Sequence, residues 1–124
     1  MRESRLWALH LLSGAVLIVL LSAHMGLMHY EGILASLGWA GENVRGFASV
    51  AQRAKSTIWT VWYVLLLVFA LYHGLYGTRR ILQEVWHSAR AARVIDTVVL
   101  LFGLVVLVYG VYTAVAAARM GGAF

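Results

Sequence analysis

At 124 residues the chain has the length of one domain. Hydrophobic residues make up 62% of it and charged residues 12%, against roughly 25% charged in an ordinary soluble domain. So little charge cannot clothe a water-facing surface, which excludes a soluble globule and makes the bilayer the solvent. The chain has no cysteine, so disulfides, thiolate zinc sites and cysteine-held iron–sulfur clusters are excluded as well. The formal charge of +5 comes from arginines near the ends of apolar runs. That pattern points to membrane topology and lipid headgroups, not to nucleic acid.

Taken in chain order, three stretches are long enough for the roughly 20 residues that a bilayer crossing needs. The first runs from about Leu6 to His29. Arg2 and Arg5 precede it, but its apolar run is too long for a signal peptide and no cleavage pattern follows. Between Glu31 and Thr57 lie Gly32, Gly38, Gly41 and Gly46 among mixed charges, predicting a loop. A short interfacial helix is expected around Asn43 to Lys55, with Trp39 placed to anchor at the headgroups. The second span is Ile58 to Thr78, and the stretch from Arg79 to Arg93 reads as a short basic connection. The third span is Val94 to Ala118, with Asp96 as a helix cap and Gly103 and Gly110 on one face, suited to close packing. The expected fold is therefore all-α: a single membrane domain over residues 1–124, with helices at about 6–29, 58–78 and 94–118.

Orientation follows from the basic residues. Arg2, Arg5, Arg79, Arg80, Arg90 and Arg93 fall on one side, and Arg45, Arg53, Lys55 and Arg119 on the other. The excess places the N-terminus in the cytoplasm.

The residue that carries chemistry is His73, in the run His73-Gly74-Leu75-Tyr76-Gly77-Thr78-Arg79-Arg80 that ends an uncharged stretch from Ile58 to Tyr72. An ionisable side chain at membrane depth is expensive and takes a partner. For a neutral imidazole that partner is often a metal. Gly77, one turn on, clears space on the same face for a flat group, and Arg79 or Arg80 can neutralise a haem propionate at the aqueous edge. On this helix Trp59, Trp62, Leu66, Phe69, His73, Gly77 and Arg80 share a face.

Helical rise converts position to depth. His10 lies roughly 6 Å into the first span and His73 roughly 8 Å from the same side of the second. His24 is about 21 Å further along than His10, so straight helices forbid His24 and His73 from sharing one haem. His10, Ser13 and His24 fall on one stripe of the first helix. A lone intramembrane histidine can instead hydrogen-bond a carbonyl or a neighbouring helix, and that alternative stays open for all three. His29 and His87 sit at interfaces, where solvation suffices.

Three stretches together resemble a known family: Ser13-Gly14 in the first span, Ala23-His24-Met25-Gly26-Leu27-Met28 near its end, and His73-Gly74-x-x-Gly77-x-Arg79 on the second. The chain resembles the small membrane-anchor (cytochrome b) subunit of succinate dehydrogenase and fumarate reductase (complex II). It is most similar to the branch with two three-helix anchor subunits, and the resemblance covers nearly the whole length. What it implies is haem b, one or two per complex, held by one histidine from each anchor subunit. His73 matches the second-helix ligand, and His24 matches a first-helix histidine that some members use for a further haem. The implied partners are a second three-helix anchor subunit, an iron–sulfur subunit, a flavoprotein subunit and membrane lipid. Electrons from succinate would reach a quinone, menaquinone or ubiquinone, at the cytoplasmic membrane of a bacterium or archaeon.

Two departures from the family's pattern concern the quinone. The family's His-Arg-x-Ser-Gly here reads His10-Leu11-Leu12-Ser13-Gly14, without the arginine. Its acid-then-tyrosine pair after the second helix here reads Gln83-Glu84-Val85-Trp86, so the indole of Trp86 replaces a phenol. Ser13, Glu84 and Trp86 are the quinone-site candidates, and Ser13, Glu84 and His87 the candidates for relaying protons. No flavin or nucleotide motif is present, so dicarboxylate chemistry would belong to other subunits. The competing readings are the cytochrome b anchor of another quinone-linked dehydrogenase and a haem-free structural anchor.

Overall fold

The computed structural model describes residues 2–38 and 46–121, and the described residues contain helices and no strand. Helix α1 is Arg2–Ser36, α2 is Phe47–Ala54, α3 is Thr57–Val85 and α4 is Ala89–Gly121. Three of these are long and apolar enough to cross a membrane, over Glu3–Tyr30, Thr57–Val85 and Ala89–Gly121. Trp39 and the start of the expected interfacial helix, residues 43–45, lie outside the described residues. The part that is described forms α2, a two-turn helix followed within three residues by α3.

The long helices overrun the expected spans at both ends. Nothing in the sequence stops them, because the chain has no proline and the residues beyond each apolar run are ordinary helix formers. A 29-residue α3 is roughly 43 Å long, against about 30 Å of hydrocarbon. The stretch from Arg79 onward is therefore not a connection. It continues α3 for two turns, and the true link is Trp86–Ser88.

Asp96 also departs from expectation. It does not cap α4, which starts seven residues earlier. Ser88 does so, its Oγ accepting from the Ala91 N–H at 3.1 Å. At the end of α1, Gly38 takes φ of +77°, the left-handed conformation in which glycine avoids the penalty of a Cβ.

Helix α3 is central, packing antiparallel against α1 on one side and α4 on the other. The α3–α4 seam is set by small residues: a Cβ added at Gly103 would meet Leu75, and one at Gly110 would meet Leu67, each at 2.5 Å. The face shared by the two glycines thus receives two leucines, as close packing requires. At one end the seam is closed by Asp96, which accepts from Arg79 Nε at 2.6 Å and from Gln83 Nε2 at 2.7 Å. At the other end Gly121 lies against the main chain of Ala54 and Lys55, docking α2 onto α4.

The burial pattern is the reverse of a soluble protein. Among the described residues the buried apolar side chains are Leu20, Tyr76 and Ala118, while Ser13 and Thr60 are buried polar ones. Ile18, Val105 and Val108 are about 70% exposed. Surfaces of this kind belong against lipid or other helices.

Candidate functional site

The α1–α3 contact brings His10 and His73 together. Their depths from the same side match in the sequence, and in the fold the two rings stack at 4.2 Å with 7° between planes. The stack continues through Tyr76, 5.0 Å from His10, to Tyr72, 5.9 Å from Tyr76. Tyr72 anchors that end by donating from its hydroxyl to the carbonyl of Leu6 at 2.9 Å. Neither tyrosine carried a signal in the sequence beyond its spacing of one helical turn from the other.

The polar atoms at His73 fix its proton. Nδ1 lies 3.1 Å from the carbonyl oxygen of His10 and 3.4 Å from Ser13 Oγ. A carbonyl can only accept, so Nδ1 carries the hydrogen and donates it. Ser13 spends its own proton on the same His10 carbonyl at 2.7 Å, which leaves its oxygen as an acceptor toward His73. Nε2 is then the nitrogen with the free lone pair.

This arrangement combines both readings of an intramembrane histidine. One nitrogen is satisfied by a carbonyl, and the other remains available to a metal. The donor chemistry fits an axial haem ligand, whose second nitrogen is ordinarily held by a carbonyl or carboxylate. The His10 ring covers a face of His73, whereas a coordinate bond at Nε2 would run in the ring plane. Among the described residues no cluster of three or more metal-ligating side chains is present.

Gly14 makes the contact possible, while Gly77 faces the His10 ring at ordinary van der Waals distance. A Cβ on Gly14 would lie 2.9 Å from His73 Cε1, and one on Gly77 would lie 3.4 Å from His10 Cε1. The flat group over Gly77 within this chain is thus the His10 imidazole. Among the described residues His10 Nδ1 is buried with no hydrogen-bond partner.

The remaining sequence candidates distribute as follows. Ser13 is 2% exposed, committed to His10 and His73. Arg79 is paired with Asp96, while Arg80, one residue on, is exposed. Glu84, Trp86 and His87 are exposed around the α3–α4 link. His24 sits apart from His73, with its ring edge-on to Tyr63 at 6.0 Å. A cleft of about 490 Å³ opens between α1 and α4 over α3, lined by Leu6, Tyr72, Tyr76, Arg79 and Asp96 among others.

Comparison with known proteins agrees with this architecture. The succinate dehydrogenase hydrophobic membrane anchor subunit of Thermoplasma acidophilum is 24% identical over 108 residues, covering 87% of this chain and 81% of that protein. No solved structure matches the chain. The family described as succinate dehydrogenase/fumarate reductase transmembrane subunit matches residues 2–111, which cover the first two spans and most of the third, and the chain belongs to that family.

Proposed function

We propose that this chain is one of two three-helix anchor subunits of a succinate:quinone oxidoreductase, and that His73 is an axial ligand of haem b. The observation that carries the reading is the Nδ1–H bond from His73 to the His10 carbonyl, because it leaves Nε2 as a lone-pair donor at membrane depth. Haem held there would supply single-electron transfer between the iron–sulfur subunit and a quinone, menaquinone or ubiquinone. A second histidine, from the other anchor subunit, would complete the ligation of the iron.

The chain's own residues orient and neutralise. Arg80, two turns beyond His73 on the same face, places a cation for a propionate. Arg79 shares its charge with Asp96 and contributes less. Gly77 faces the His10 ring. At the α3–α4 link the exposed Glu84, Trp86 and His87 offer an acid, an indole N–H and an imidazole for quinone contact and proton delivery. Ser13, with its hydroxyl engaged, serves His73 instead of a quinone in this chain. His24, in the other leaflet, is the candidate ligand of a second haem. Flavoprotein and iron–sulfur subunits dock on the cytoplasmic side of the membrane, where the N-terminus lies, and carry the succinate chemistry.

Substituting His73→Ala tests the reading. The purified complex should lose the b-type spectrum of the inner haem, and a wild-type spectrum in this variant would remove His73 as ligand. Pyridine haemochrome of the same preparations counts haem: two per complex, falling to one in His24→Ala, is expected if His24 also binds iron. A count unchanged by His24→Ala would make it a packing residue.

A further inference from the structure

Helix α1 supplies a seat for the His73 ring that is built from three consecutive kinds of constraint. The ring edge is held by the His10 carbonyl at 3.1 Å and Ser13 Oγ at 3.4 Å. One ring face is covered by the His10 imidazole at 4.2 Å. The Nδ1–Cε1 side lies against Gly14, where a Cβ would come within 2.9 Å of Cε1 and 3.2 Å of Nδ1. A clash of that size with a side-chain end is ordinarily relieved by rotating the side chain. Here rotation would break the Nδ1 bonds and the stack together. Gly14 is thus not merely a small residue in a helix interface.

We propose that Ser13 and Gly14 are positioning residues for the His73 ligand: they fix the rotation of its imidazole, which keeps the Nδ1 proton aimed at the His10 carbonyl, and so tune any iron bound at Nε2. The inference rests on the reading of His73 as a haem ligand. Its physical basis is that the partner of the distal ring nitrogen sets ligand basicity, and ring orientation sets overlap with the metal.

Gly74 supplies the control. It adjoins His73 on α3, yet among the described residues nothing lies within 4 Å of a Cβ added there. Gly14→Ala and Gly74→Ala therefore add the same methyl group, one against the ring and one into open space. The assembled complex of each is compared by low-spin haem EPR and by redox titration of the haem. Gly14→Ala should displace the low-spin g-values and the midpoint potential while the complex still forms, and Gly74→Ala should match wild type. Ser13→Ala, which removes a hydroxyl and adds no bulk, should also move both quantities, and it decides the matter if Gly14→Ala does not assemble. Wild-type g-values and potential in Ser13→Ala, or in an assembled Gly14→Ala, overturn the proposal. His73→Ala in the same series separates the two failures. If it abolishes the signal while the α1 variants change nothing, the ligand stands and the seat does not. If it leaves the signal intact, the ligand assignment itself has failed.

Discussion

An imidazole has one proton to divide between two nitrogens, and at His73 the carbonyl of His10 receives it. That bond explains how a histidine can be tolerated in a nearly uncharged helix and still be useful, since an unmet N–H at this depth would cost about 1–3 kcal/mol. The ligand candidate itself was legible in the sequence, because His73 stands alone in an apolar run followed by Gly77 and Arg80. Its partner was not, because a main-chain carbonyl has no sequence signature. Asp96 shows the same limit. Near the start of an apolar stretch it reads as a cap, but α4 begins at Ala89, and the carboxylate instead meets Arg79 and Gln83 across the seam. The pair is part-exposed, at 23% and 46% for the two side chains, so solvent screens it. Asp96→Ala should cost about 1 kcal/mol of α3–α4 stability, seen as a modestly lower melting temperature of the detergent-solubilised complex with helix content unchanged.

The elements owe their type to the bilayer and their ends to local chemistry. A backbone in lipid must satisfy its own polar groups, so a long apolar run becomes a helix whatever its finer pattern. Hydropathy locates the apolar run but not the helix end, which is why α3 runs on past Thr78 to Val85. Pairing between elements is set by the small residues. Gly103 and Gly110, seven apart, share a face in the sequence, and the fold shows which leucines, Leu75 and Leu67, fill it. Replacing either glycine by leucine should overpack the seam by roughly 1–3 kcal/mol. Gly26→Ala should be close to neutral, since nothing lies within 4 Å of its added Cβ. Resistance of the complex to thermal or detergent dissociation distinguishes the two classes, and equal loss in both would show that the seam is not the sensitive contact.

At the scale of the molecule, α3 stands between α1 and α4 and leaves most apolar side chains facing outward. A surface so apolar is suited to lipid and to the other subunits of the complex, in keeping with a membrane-anchor family. The distribution of basic residues predicts that the N-terminus and the α3–α4 link face the cytoplasm. Because the native chain has no cysteine, single-cysteine labelling can test this directly. Ala89→Cys, exposed at the start of α4, should react with a membrane-impermeant maleimide only when the cytoplasmic face is open to it. Lys55→Cys, exposed beside α2, should react from the opposite side, and the reverse pattern would invert the topology.

The sequence by itself determined the solvent, the three spans, the family resemblance and the level of His73 in the membrane. The resemblance rests on short motifs in two helices, and the others follow from composition or from residues counted along one helix. Only the tertiary structure decided that His10 stacks on His73, that Ser13 and Gly14 form its seat, and that Arg79 turns to Asp96. Those outcomes depend on the relative rotation and register of separate helices, and in a membrane span of nearly uniform hydropathy no periodic pattern encodes them. They are set by where small residues allow two helices to approach and by which buried polar atoms must find each other.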